Sequence, residues 1–183
     1  NAPHDPSFVD EKSFSFQSVK PLGIQRPMPA VSLSNDKVRS FVTLEKLWRV
    51  LDSMGLCVFG FAPRGVMPLD TMVACIRAVT GWNTSLFDLM RAAERSSALA
   101  RAFNSREGFS IKDDRIPARL YDPKPNGPQA GNRIFTREEF QRAIENYYAI
   151  IGCDPQSGRP LPGKLMELDL EWVEALLGTT PEA

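Results

Sequence analysis

The chain has 183 residues, 43% of them apolar and 24% charged, the proportions of an ordinary globular protein with enough length to bury a core. Lys+Arg and Asp+Glu both number 22, so the net charge is zero, and no run of like charges occurs. That excludes the basic excess of a nucleic-acid-binding surface, and the apolar runs are too short for a membrane span.

Residues 1–40 carry Pro3, Pro6, Pro21, Pro27 and Pro29 without a helical period. They are expected to form an extended lead, either without structure or lying along a surface that this chain does not supply. No charged leader followed by an apolar stretch opens the chain, so no secretion signal is expected. The helical part is expected to span 41–183.

In VTLEKLWRVLDSMG, Leu44, Leu47, Trp48 and Leu51 recur at i, i+3, i+4 and i+7, one face of a helix. Thr43 is its expected N-cap and Gly55 its stop. PLDTMVACIRAVTG puts Leu69, Met72, Val73 and Ile76 on one face, with Pro68 in the first turn and Gly81 at the end. A longer helix is predicted from about Thr84 to Phe103, with Leu86, Leu89, Met90 and Ala93 facing inward. Thr136 and Glu139 have the spacing of a capping box, opening a helix that ends at Gly152 and turns Phe140, Ile144, Tyr147, Tyr148 and Ile151 inward. Two short helices are predicted between 163 and 178. No convincing alternating strand pattern occurs, so the expected fold class is all-α, an irregular helical domain with a long polar loop at 104–135.

Chemistry is concentrated in few places. Cys57, Cys75 and Cys153 form neither a CxxC pair nor a disulfide framework, which suits a reducing, cytoplasmic setting. With His4 as the single histidine, neither a zinc site nor a Ser-His-Asp site is available by the usual routes. Cys75 falls on the apolar side of its helix, and Cys153 follows a helix end as a structural or exposed thiol. The densest stretch is DSMGLC, Asp52 to Cys57. Its bland reading is a solvated carboxylate, a helix-ending glycine and a small apolar thiol. Its chemical reading uses all three. A carboxylate can accept paired hydrogen bonds from a heterocycle, glycine allows close backbone approach, and a thiolate can hold cluster iron. A second dense stretch, Arg106 to Arg119, mixes Arg106, Glu107, Lys112, Asp113, Asp114, Arg115 and Arg119. It reads as a solvated loop of weak ion pairs, or as one that wraps a neighbouring surface with buried Arg–Asp pairs.

Together these stretches resemble the tungsten-containing aldehyde ferredoxin oxidoreductases. DSMGLC followed by VFGFAP resembles that family's DxxGLC motif, and FNSREGFSIKDDRIPARL resembles its N-x-REGF-x-x-KDD-x-(I/L)-P-x-R segment. GPQAG (127–131), ENYYAIIGCDPQSGRP and KLMELDLEWV follow in the family's order, so the likeness covers about residues 40 to 177. The resemblance implies the last helical domain of an enzyme that oxidises aldehydes to carboxylic acids. Such an enzyme uses a tungsten or molybdenum bis-pterin and a [4Fe-4S] cluster, with ferredoxin as electron acceptor. Asp52 would then hydrogen-bond a pterin ring, Gly55 and Leu56 would give close backbone approach, and Cys57 would be one of four cluster ligands. His4, upstream of DxxGLC in a place comparable to the family's histidine near the metal, would be a catalytic residue. The departures are the absent CxxCxxxC ligands, the absent β domain and first pterin-binding segment, the missing RG-x-CH pattern around His4, and Cys153 in place of an expected Trp. This chain is therefore expected to need the remaining domains, or a companion subunit, as partner, and not to turn over alone. The competing expectation is a non-catalytic helical interaction module in which Asp52 and Cys57 have no cofactor role.

Overall fold

A computed structural model describes residues 18–26, 28–29, 32–61, 67–127 and 130–178. Among the described residues seven α-helices follow one another: α1 (Asn35–Met54), α2 (Val58–Phe61), α3 (Leu69–Thr80), α4 (Leu86–Arg106), α5 (Arg137–Ile150), α6 (Pro162–Glu167) and α7 (Trp172–Leu177). Short 3-10 turns lie at Lys20–Leu22, Ile111–Asp113 and Ala118–Leu120. No strand occurs among the described residues, whose only extended pairings are two isolated bridges, Lys124 with Ala130 and Cys153 with Pro160. The fold is all-α, as expected.

Two expectations about the start of the chain need correction. Helix α1 begins at Asn35, two turns before Thr43. Ser34 is the residue that accepts from the first turn, its Oγ taking the Lys37 N–H at 3.3 Å. Thr43 instead sits mid-helix and donates its hydroxyl to the Arg39 carbonyl at 3.1 Å. Val38 and Val42 are buried as well, outside the cluster that Leu44, Leu47, Trp48 and Leu51 join. The lead, in turn, does not lie wholly on a surface supplied from elsewhere. Val19 and Ile24 are 0% and 6% exposed and belong to this chain's own core.

The described residues divide into two compact units, one comprising residues up to 32 with Arg39–Ala100, the other Leu33–Val38 with Arg101 onward. In the first, Leu44, Leu47, Trp48 and Leu51 of α1 pack with Leu69, Met72, Val73 and Ile76 of α3 and with Leu89 and Ala93 of α4. The helical spacing brings these side chains onto one face, and each large aliphatic contributes about 1.5–3 kcal/mol by leaving water. Cys75 is half-buried, at the margin of this stripe rather than in it.

In the second unit the Thr136–Glu139 capping box forms as the spacing predicts, with both of its bonds in place. Tyr148, Ala143, Cys153, Leu165, Leu168, Leu170 and Val173 are buried there. Phe135 stacks on Phe140 with centroids 6.0 Å apart, and Tyr121 meets both rings edge-on. Cys153 is buried rather than exposed, because the Gly152 turn folds it back behind α5: its N–H donates to the Tyr148 carbonyl at 2.8 Å.

Candidate functional site: the helix end carrying Asp52 and Cys57

Helix α1 ends in a turn that fixes DSMGLC atom by atom. The Leu56 N–H donates to the Leu51 carbonyl at 2.9 Å and the Gly55 N–H to the Asp52 carbonyl at 3.3 Å. This is the paired six-to-one and five-to-two pattern of a Schellman cap, with Gly55 in the left-handed region at φ +65°. Leu51 belongs to the core cluster and Leu56 packs against that cluster, as the apolar side of such a cap requires. Local physics thus accounts for Gly55 and Leu56 without any cofactor. What it leaves over is Asp52 and Cys57, both exposed. The Asp52 carboxylate makes no hydrogen bond or ion pair with the described residues. A Cβ on Gly55 would meet nothing within 4 Å, so the backbone at this turn is open to an approaching group.

Beyond the turn, the Cys57 carbonyl accepts from the Gly60 and Phe61 N–H groups at 3.0 and 3.1 Å, starting the single turn α2. An exposed apolar patch over Cys57, Val58, Phe59 and Phe61 is expected from the sequence. In the structure Phe59 is 64% exposed, while Val58 and Phe61 are half-buried against the core. Among the described residues no group of three or more His, Cys, Asp or Glu side chains converges to hold a metal. All three cysteines are unpaired. The donor set therefore fits a cluster only as one thiolate out of four. His4 lies outside the described residues.

The mixed-sign stretch after α4 divides into two kinds of residue. Arg106 and Glu107 form an exposed pair at 2.9 Å, the solvated kind. Asp114 is different. It accepts from the Tyr148 hydroxyl and from Arg101 Nη1 at 3.3 Å, while Arg101 Nη1 also donates to the Tyr148 oxygen at 2.7 Å. The guanidinium carbon stands 4.9 Å from the Tyr148 ring centroid. Burial first, and then the bond to Asp114, raises the Tyr148 phenol well above its ordinary range. Burial works against the Arg101 charge, but Tyr147, Tyr148 and Asp114 more than offset it. Burial also pushes the Cys153 thiol up to about 11. A cavity of about 210 Å³ adjoins the network, lined further by Asn104, Ser105, Phe109, Ser110 and Asp113. Neither Arg101 nor the Tyr148 hydroxyl is singled out by the sequence. Asp114 lies 13 and 34 residues from them, beyond any local pattern.

The family model for aldehyde ferredoxin oxidoreductase, domains 2 and 3, matches residues 5–170. The chain belongs to the aldehyde ferredoxin oxidoreductase family. It is 32% identical over 152 residues to a tungsten-containing aldehyde ferredoxin oxidoreductase of Pyrococcus horikoshii, a match covering 82% of this chain and 24% of that protein. A protein of the same name from Pyrococcus furiosus is 30% identical over 151 residues, with 81% and 24% covered. This family member thus spans about a quarter of the length of the curated relatives it matches. A solved structure, the active site complex BamBC of benzoyl coenzyme A reductase with 1,5-dienoyl-CoA, shares the fold. Its TM-score is 0.64 at 23% identity, covering 83% of this chain and 21% of that one. None of the described helices is long and apolar enough to cross a membrane.

Proposed function

We propose that this chain is the C-terminal helical part of a tungstopterin oxidoreductase and closes one side of its pterin and cluster site. Asp52 accepts hydrogen bonds from a pterin ring, the open backbone at Gly55 and Leu56 lets that ring approach, and Cys57 is the fourth ligand of a [4Fe-4S] cluster. When bound, the metal–pterin and cluster together supply a two-electron acceptor and an exit for electrons. The overall conversion is an aldehyde plus water to a carboxylic acid, two protons and two electrons, the electrons leaving to ferredoxin. This chain's own work is to orient and to ligate. Asp52 fixes ring orientation through its two acceptor oxygens, and the Schellman turn holds Cys57 at a set distance in sequence from Asp52. Tungsten and molybdenum both suit this reading, because no residue here ligates that metal directly. A reducing, cytoplasmic setting suits three unpaired thiols.

The observation that carries the reading is the exposure of Asp52 and Cys57 on either side of a turn whose other residues are explained by packing. The test is to co-express the chain with the remaining part of its enzyme and measure metals. The complex should hold tungsten or molybdenum and about four irons. Cys57→Ala should lower the iron, and Asp52→Ala should lower the pterin while the iron stays. Unchanged iron in Cys57→Ala would overturn the ligand assignment and leave a helical interaction module. The isolated chain is the control: Cys57 is exposed, so Cys57→Ala should change its stability by no more than about 0.5 kcal/mol.

A further inference from the structure

From Ala78 to Phe87 the sequence has no charged residue. These ten positions make the end of α3, the corner after it and the start of α4. Three large apolar side chains on them face solvent: Val79 is 87% exposed, Trp82 55% and Phe87 71%. The corner is braced from within. The Gly81 N–H donates to the Arg77 carbonyl at 2.9 Å, and Arg77 Nε donates to the Thr84 carbonyl at 2.5 Å. The Thr80 hydroxyl donates to the Ile76 carbonyl and accepts the Trp82 N–H. Ser85 and Asp88 cap α4 reciprocally, at 2.9 and 3.2 Å. The corner is thus held in the arrangement that leaves Val79, Trp82 and Phe87 at the surface.

No charge falls between Arg77 and Asp88 in sequence, and those two are engaged within the corner itself, on the Thr84 carbonyl and the Ser85 cap. Exposed Trp and Phe here thus have the composition of an interface core rather than of a wet surface. The exposed Met166 and Trp172 differ, standing in sequence among Glu167, Glu171 and Glu174. An electron carrier that must leave after each transfer uses a small, charge-steered contact, which this corner does not offer. We propose that Val79, Trp82 and Phe87 form a docking knob seated in an uncharged, apolar recess of the rest of the same enzyme. That rest is the three quarters of the family's length that this chain does not span. The inference rests on the reading of the chain as part of a larger oxidoreductase.

Hydroxyl-radical footprinting of the isolated chain and of the complete enzyme tests it without any variant. Trp82 and Phe87 should be oxidised about fivefold or more slowly in the complete enzyme, as for side chains buried in an interface core. A Trp82→Glu/Phe87→Glu variant should lower recovery of the complex by about tenfold or more, the scale of paired hot-spot losses. The melting temperature of the isolated variant should stay within about 2 °C of the parent, as for exposed positions. Equal footprints in both states overturn the proposal. So does an isolated chain that dimerises through Trp82 while assembly of the complete enzyme is unaffected. The two readings fail separately. Protection at Trp82 with unchanged iron in Cys57→Ala removes only the cluster assignment. Iron loss in Cys57→Ala with an unprotected Trp82 removes only the knob.

Discussion

A Cβ placed on Gly158 would stand 3.1 Å from Cε1 of Tyr148 and 3.3 Å from its hydroxyl oxygen. Gly158 is at φ +72°, so any side chain there meets backbone strain as well as the ring. Gly55 shares the left-handed backbone, at φ +65°, but a Cβ there meets nothing. Gly55→Ala should therefore destabilise the isolated chain by about 1 kcal/mol, the left-handed penalty alone. Gly158→Ala should exceed it by about 1–2 kcal/mol, since the ring and its hydroxyl network must shift. Thermal melts of the two variants decide it, and equal losses would mean that the Tyr148 ring yields freely.

Tyr148→Phe removes one hydroxyl and leaves Arg101 facing Asp114 alone. A loss of about 1–3 kcal/mol is expected, because a partly buried charged pair gives up hydrogen bonds that water replaces poorly. In a double-mutant cycle with Asp114→Asn the two changes should be non-additive by at least about 0.5 kcal/mol. Strict additivity would show that the contact carries no energy.

Stability should fall in alkali. Burial raises the folded Cys153 thiol from 9.0 to about 11, so the folded state keeps its proton where the unfolded chain has lost it. The resulting stabilisation is complete below pH 9 and is lost as the pH rises to 11. The raised Tyr148 phenol acts in the same direction at higher pH. Cys153→Val should make the fall in denaturation midpoint across this window shallower. An unaltered slope would remove Cys153 as its cause.

Trp48 is 4% exposed, and its indole N–H has no partner among the described residues. Trp48→Phe gives up ring volume but also removes an orphan donor worth roughly 1–3 kcal/mol of desolvation. The two effects oppose each other, so the variant should lie within about 1 kcal/mol of the parent. Leu47→Ala, in the same core, removes only packing and should lose about 2–5 kcal/mol. A Trp48→Phe loss as large as that of Leu47→Ala would mean the N–H is satisfied.

Features set by neighbours three or four residues apart were legible in the sequence. The stripe Leu44–Leu51, the α3 face, the Thr136–Glu139 box and the stop at Gly55 all depend on spacing alone. The start of α1 was not, because Thr43 is as good a cap by type as Ser34, and only burial of Val38 and Val42 distinguishes them. At the candidate site, DSMGLC gave Asp52 and Cys57 their place, and the structure adds that both are exposed. The partners of Asp114 were hidden for a different reason. Arg101 and Tyr148 look like an ordinary surface charge and an ordinary apolar-face residue until α4, α5 and the loop between them bring the three side chains together.

The burial of Val19 and Ile24 bears on where this polypeptide can be cut. Pattern alone puts the helical region's edge at residue 40, and a shortened version beginning there would lack two side chains that are 0% and 6% exposed. The vacated space would lie in the cluster that also holds Leu44, Leu47 and Leu51, admitting water to a core that depends on its exclusion. Any trimmed form meant for expression or crystallisation should keep everything from Val19 onward.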